Sequence, residues 1–280
     1  MIKLVLTDVD GTLVPDGGHQ VSPRYFEVIR QLAEKGILFG VASGRQVASI
    51  WRMFAPVKDQ MITIANNGAY AVYRGEELFR RPMDKEISEA LIRDTRKLPG
   101  CMSLYDTGTM AYFETGGEEL YQLFIDEFKF NCTLVDDLTA LEEPCLKFTV
   151  YRESRVEEVT GKEFSPKWKQ YLEVACGGGK YIDIEMKGVT KGAALVSVQE
   201  MLGITPEETV VVGDNLNDLE MLDRARYSFA IGNARKEVRE VCTYVTDDLQ
   251  HDGVLRLLEY LLEYGEDEEL FEQFRIINKT

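Results

Sequence analysis

Two carboxylates one residue apart, Asp8 and Asp10, follow the apolar run Ile2-Lys3-Leu4-Val5-Leu6-Thr7 and precede Gly11-Thr12. Anionic groups this close repel each other, so a bound cation, a shared proton or full hydration has to compensate them. Further along stand Ser43-Gly44, Asn66-Asn67, Gly213-Asp214 and Lys191, the last opening a predicted helix after Gly188-Val189-Thr190. A second acidic loop, Asp214-Asn215-Leu216-Asn217-Asp218, completes the set. Together they bring two strong acids, a hydroxyl, an ammonium and a second acidic loop. Taken singly, each is also an ordinary strand-end or turn residue. It is their joint placement that points to a site.

That placement follows from the elements. A buried apolar run such as Ile2–Thr7 reads as a strand of a parallel sheet, and such sheets bind ligands beyond their carboxyl ends. Apolar residues at 25, 26, 28, 29, 32 and 33 predict an amphipathic helix over 24–34, closed by Lys35-Gly36. Strand 37–42 runs into Ser43, helix 46–54 follows, and strand 61–65 leads to the turn Asn66-Asn67-Gly68. This βαβαβ order predicts a parallel sheet. Strand 209–212 later runs into Gly213-Asp214, so four strand ends converge on one edge.

Between these stretches the pattern changes. Helix 85–97, paired strands 102–105 and 110–113, helix 118–128, strand 146–151, helix 155–163 and a hairpin of 171–176 with 181–186 form an α+β unit. Helix 192–202 and strands 209–212, 228–231 and 243–246 then resume the first rhythm, so the unit is inserted rather than appended. The expectation is an α/β protein: a Rossmann-like parallel-sheet core over 1–83 and 187–280, with an inserted α+β cap over 84–186. The tail from Glu263, with Glu266-Asp267-Glu268-Glu269, reads as a frayed helix or solvated extension.

Composition narrows the partners. A formal net charge of −16 over 280 residues argues against nucleic acid and anionic membranes, so an anionic substrate needs a local positive site. No apolar stretch suits a membrane span, and the N-terminal run ends in Asp8 without a signal-peptide pattern. The five cysteines, with no C-x-x-C pair, read as reduced thiols of a cytoplasmic protein, mostly packed as small hydrophobes.

Asp8-Val9-Asp10-Gly11-Thr12, Ser43-Gly44, Lys191-Gly192 and Gly213-Asp214-Asn215-Leu216-Asn217-Asp218 resemble, in order, the four motifs of the haloacid dehalogenase superfamily. The inserted unit resembles the α/β cap of its Cof-like branch, as do Asn67-Gly68-Ala69 and Asp252-Gly253-Val254. The resemblance covers the chain up to about Leu262. It implies a phosphatase acting on a small phosphate ester such as a sugar phosphate. In that scheme Asp8 is the nucleophile that becomes an aspartyl-phosphate, and Asp10 is the acid and then the base. Mg²⁺ is held by the Asp8 carboxylate, the Asp10 backbone carbonyl and Asp214. Oxygen ligands without a His or Cys cluster favour magnesium over zinc. Ser43, the Gly44 amide and Lys191 bind the phosphoryl oxygens, with Asn217 on phosphate or a metal-bound water. Asp218 supports the metal or orients Lys191.

Other residues carry less. Arg45 is expected to pair with a carboxylate, His19 to be a solvated loop residue and His251 to be structural. Gly177-Gly178-Gly179-Lys180 lacks the G-x-x-x-x-G-K-[ST] spacing and is expected to be a hairpin turn, with Lys180 a contact for a substrate's distal groups by resemblance. Two alternatives use the same acids: a phosphoryl-transferring mutase, and a non-enzymatic regulator carrying a stable phospho-Asp8. Oligomeric state and the identity of the metabolite are not written in the sequence.

Overall fold

The computed structural model describes residues 1–177, 179–265 and 271–275. Gly178 of the expected hairpin turn and the acidic stretch Glu266–Glu269 lie outside the described residues. The chain divides into two compact units, residues 1–44, 50–78 and 190–280, and residues 45–49 and 79–189.

The elements run in chain order from β1 (Leu4–Thr7), α1 (Arg24–Glu34), β2 (Leu38–Ala42), α2 (Val47–Met53) and β3 (Met61–Ala65) to β4 (Tyr70–Tyr73) and β5 (Glu76–Arg80). Helix α1 buries Tyr25, Val28, Ile29 and Leu32, the 3–4 spacing of one helical face, and Gly36 at φ +78° turns the chain into β2. The hairpin β4–β5 is not foreseen by the sequence reading. Its short strands follow two asparagines at φ +49° and +51°, a pair of left-handed residues that reverses the chain.

Next come α3 (Lys85–Thr95), β6 (Met102–Asp106), β7 (Ala111–Glu114), α4 (Glu118–Asp126), β8 (Cys132–Val135) and β9 (Lys147–Tyr151). Helices α5 (Val156–Thr160) and α6 (Phe164–Trp168) and strands β10 (Leu172–Gly177) and β11 (Tyr181–Met186) complete the stretch. Their six strands order as β10-β11-β9-β6-β7-β8. Strand β8, the end of the expected helix 155–163 at Thr160 and the separate helix α6 that follows it are corrections to the sequence reading. The two faces alternate cleanly: Phe148 and Val150 join Leu91, Phe164 and Trp168, whereas Leu104, Phe113 and Tyr151 join Phe124 and Phe130.

The chain then returns through α7 (Lys191–Leu202), β12 (Thr209–Gly213), α8 (Leu219–Asp223), β13 (Tyr227–Ala230), α9 (Lys236–Val241), β14 (Tyr244–Val245) and α10 (Gly253–Tyr264). The first unit's sheet orders as β14-β13-β12-β1-β2-β3-β4-β5, parallel from β14 through β3 and antiparallel at β3–β4. The parallel strands are almost wholly buried, as their unbroken apolar runs require.

Two expectations need correcting. The tail is not simply solvated: Phe271 is fully buried, its ring 5.3 Å from Tyr227, 5.7 Å from Tyr244 and 5.5 Å from Tyr260. Its charge hid an aromatic anchor. Of the cysteines, Cys145 and Cys242 are buried, Cys101 and Cys132 partly so, and Cys176 is exposed.

Candidate active site

Thr7 at the end of β1 lies level with Val41 of β2 and Val212 of β12. Asp8, Ser43 and Asp214 therefore leave the sheet at one edge, one or two residues past that line. The Asp8 amide continues the ladder to the Val212 carbonyl at 3.0 Å, and the Ser43 amide bonds the Ile64 carbonyl at 2.9 Å. Register in a parallel sheet thus does most of the positioning.

Lys191 begins α7, where the helix dipole favours anions over cations. Carboxylates hold it there. Its Nζ donates to Asp8 Oδ1 at 2.5 Å and to Asp218 Oδ1 at 2.7 Å, and its side chain is 1% exposed. The other Asp218 oxygen accepts the amides of Asp214 at 2.9 Å and Asn215 at 3.0 Å. With both oxygens engaged, Asp218 ties the Lys191 ammonium to the backbone of the Asp214 loop.

Two further contacts set the lysine. The Thr190 hydroxyl caps α7 by accepting from the Ala193 amide at 3.0 Å and donates to Glu220. The turn after β3 packs on the same residue: a Cβ on Gly68 would stand 2.2 Å from the Thr190 carbonyl oxygen. Gly68, at φ +106°, is there because nothing larger fits. The Asn67-Gly68 turn also shapes the Ser43 end of the site. The Ser43 carbonyl accepts the Asn67 amide at 3.0 Å, and a Cβ on Gly44 would lie 2.9 Å from Asn67 Oδ1.

Asp8 and Asp10 differ in surroundings. Asp8 is buried among charges, whereas Asp10 is half-buried and accepts the Gly17 amide at 3.2 Å. Burial, followed by the repulsion of Asp218 and Asp214, raises the Asp8 pKa well above the ordinary carboxylate value against the pull of Lys191. Burial and Asp218 likewise raise Asp214, opposed by the Thr12 hydroxyl, which donates to its Oδ1 at 3.0 Å. Burial works against the charge on Lys191, but Asp218 and Asp8 hold its pKa above that of a free lysine.

This balance bears on a metal. Among the described residues, one oxygen each of Asp8, Asp214 and Asp218 lie within 4.8 Å of one another. By formal charge, three carboxylates against one ammonium leave a net of two negative charges, which a divalent ion would match. Purely oxygen donors suit a hard cation. The residues fit such an ion.

The haloacid dehalogenase-like hydrolase profile matches residues 5–258. The chain belongs to that family. Within the haloacid dehalogenase-like hydrolases it sits in the Cof-like branch. Over 94% of the chain and 97% of the relative it is 27% identical to 5-amino-6-(5-phospho-D-ribitylamino)uracil phosphatase YbjI of Escherichia coli K12. It is also 27% identical to phosphatase YwpJ of Bacillus subtilis, over 93% of this chain and the whole of that one. A crystal structure from Eubacterium rectale, 37% identical, superposes with a TM-score of 0.87 over 93% of this chain and 99% of that one.

In this haloacid dehalogenase-like chain, Asp8, Lys191, Asp214 and Asp218 come together as one cluster, with Ser43 and Gly44 on the neighbouring strand end. Asn217 lies exposed on the short turn Leu216–Asp218. Thr12 and the Thr190–Glu220 pair were passed over in the sequence reading. Thr12 stands inside the first motif and could have been flagged there, whereas nothing local marks Glu220. Of the lesser candidates, Arg45 is buried, His251 Nδ1 lies 2.6 Å from Asp248 Oδ1 on the surface, and Lys180 pairs with Glu153 at 3.0 Å. No helix of the described residues is long and apolar enough to cross a membrane.

Proposed function

We propose that this enzyme, a phosphatase of the haloacid dehalogenase-like family, hydrolyses small phosphomonoesters of the sugar or polyol type in the cytoplasm, using Mg²⁺. The observation that carries the reading is the buried cluster in which Lys191 bridges Asp8 and Asp218 while two negative charges remain for a divalent ion. The full-length likeness to a phosphatase named for a phosphoribityl compound supports the substrate class.

In this reading an Asp8 oxygen attacks phosphorus, forming the aspartyl-phosphate as the ester P–O bond breaks. Asp10 gives its proton to the departing alkoxide. It then takes a proton from the water that attacks the phosphoaspartyl phosphorus, and the P–O bond to Asp8 breaks to release inorganic phosphate. The Ser43 hydroxyl, the Gly44 amide and the Lys191 ammonium bind the phosphoryl oxygens, with Asn217 beside them and Asp218 fixing the lysine. The Asp8 carboxylate, the Asp10 carbonyl and Asp214 would hold Mg²⁺, which supplies charge neutralisation to the phosphoryl group. Residues 84–186 take the part of the cap that excludes water and selects the alcohol.

A panel of phosphate esters assayed for released phosphate, with Mg²⁺ and with chelator, tests this. Release is expected only with metal, and Asp8→Asn should reduce it to the chelator background. Full turnover by Asp8→Asn would overturn the mechanism.

A further inference from the structure

The two acidic loops of the site come from distant parts of the chain, yet they meet within hydrogen-bond range. Gly11 shows how close. At φ +79°, it would carry a Cβ only 2.5 Å from Asp214 Oδ2. Something must hold two negatively charged loops at this separation. Thr12 supplies one bond to Asp214 Oδ1. Beyond the β1–β12 register, further bonds come from the loop that follows β13, Ile231-Gly232-Asn233-Ala234-Arg235.

That loop grips both sides. The Ile231 amide bonds the Gly213 carbonyl at 3.2 Å, and the Arg235 amide bonds the Asp214 carbonyl at 2.9 Å. Between them the Asn233 side chain reaches the other loop, donating from Nδ2 to the Gly11 carbonyl at 2.8 Å. Its Oδ1 accepts the Leu249 amide at 2.9 Å, so the side chain is anchored at its own far end. Gly232 lets the loop lie flat on this anchor: its amide bonds the Asp247 carbonyl at 3.1 Å, and a Cβ there would stand 2.6 Å from the Asp248 nitrogen.

The target of Asn233 matters. Gly11 uses its amide to bond the Val14 carbonyl at 2.8 Å. This amide shares a peptide plane with the Asp10 carbonyl, and the Gly11 carbonyl lies in the next plane. Pinning both planes fixes the direction of the Asp10 carbonyl, since only φ and ψ of one residue lie between them.

We propose that Asn233 is a positioning residue that locks the Asp8–Gly11 turn onto the Asp214 loop and thereby sets the spacing of the oxygens that receive a divalent cation. This rests on the reading that Asp8, the Asp10 carbonyl and Asp214 hold that cation. Residues that orient ligands in this way typically change metal affinity by about 10–100-fold when removed.

Calorimetric titration of Mg²⁺ into the chelator-stripped full-length protein, with the thermal midpoint followed in parallel, tests it. Asn233→Ala is expected to bind Mg²⁺ about tenfold more weakly. Asn233→Asp keeps the acceptor for Leu249 but sets an oxygen against the Gly11 carbonyl. It too should bind at least threefold more weakly, although its added negative charge alone would tighten binding. A loss below threefold in either folded variant overturns the proposal; should Asn233→Ala not fold, Asn233→Asp decides. Asp214→Asn separates the two levels. If it abolishes Mg²⁺ binding while the Asn233 variants bind normally, only the positioning role fails. If it leaves binding intact, the cation assignment fails and this inference with it.

Discussion

Among the described residues each unit buries one lysine among carboxylates, and the two do it differently. Lys191 has a side chain 1% exposed and lies 2.5 and 2.7 Å from oxygens of Asp8 and Asp218, themselves 6% and 0% exposed. Lys147, in the second unit, is 9% exposed and stands 3.6 Å from Asp183, whose side chain is 34% exposed. Burial disfavours the charge on both, and the carboxylates raise both pKa values: Asp218 and Asp8 for Lys191, and Asp183, Glu185 and Asp106 for Lys147. The origins of the carboxylates differ. Those around Lys191 arrive on separate loops at strand ends, and Asp218 is itself fixed by two backbone amides. Those around Lys147 follow from sheet register, with Asp106 directly opposite on β6 and Asp183 diagonal on β11. A sheet can make a charged pair by pleat alone. Holding an ammonium at two short contacts takes converging loops, and that is the arrangement suited to preorganised chemistry.

The largest expected effect comes from removing the tight lysine. Lys191→Met leaves Asp8, Asp214 and Asp218 without their ammonium. Turnover on the fastest phosphomonoester should fall by about 10²–10³ or more, the usual loss for one charge-stabilising donor. In chelator the fold should lose roughly 3–5 kcal/mol, as for a broken buried ion pair. Added Mg²⁺ should restore part of the stability and none of the activity. Phosphate release and urea unfolding with and without metal check both. Retention of more than a tenth of the activity would break the contrast.

The same contrast explains what the sequence discloses. The Lys191 cluster is legible because each member sits in a short motif at a predicted strand end or helix start, and parallel register brings such ends together whatever lies between. Lys147 is not legible. In Lys147-Phe148-Thr149-Val150-Tyr151 the charged residue occupies the polar phase of an alternating strand, which reads as an ordinary solvent face. Its burial depends on Asp106, Asp183 and Glu185, placed by strand pairing that no local pattern reveals. The β4–β5 hairpin and Phe271 escaped for related reasons: the first starts from two left-handed asparagines, and the second is an aromatic residue masked by acidic neighbours. Asn233 escaped because its work is a side-chain bond to a carbonyl 222 residues away.

Lys147→Met should cost less than Lys191→Met, although both leave three carboxylates behind. Asp183 is about one-third exposed, so water can take over part of its compensation, and a loss of about 1–2 kcal/mol is expected. The sign of the pH dependence follows from the raised pKa. The stabilisation is fully present below the unfolded lysine value near 10.4 and is lost only as pH rises through the higher folded value. The stability difference between wild type and Lys147→Met should therefore be flat from about pH 6 to pH 9 in urea titrations. Mg²⁺ affinity should stay within about twofold of wild type. A loss as large as that of Lys191→Met would show that the looser cluster is as preorganised as the tight one.

The smallest effect probes how the tight cluster is trimmed rather than charged. The buried Thr12 donates its hydroxyl to Asp214 Oδ1 at 3.0 Å, and this bond pulls the Asp214 pKa down against burial and the Asp218 charge. Thr12→Val keeps the shape and removes the donor, so the carboxylate loses one orienting bond while its other oxygen still faces Gly11. One such bond is worth about 1 kcal/mol, which corresponds to roughly a fivefold weakening of Mg²⁺ binding. Thermal stability with chelator should fall by no more than about 1 kcal/mol, the net worth of one hydrogen bond. Calorimetry on the stripped protein reads the affinity directly. An unchanged affinity would mean that the Asp214 loop is held by the Arg235 amide and the Asp218 carboxylate without help from Thr12, and that the tightness of the Lys191 cluster owes nothing to the Thr12 hydroxyl.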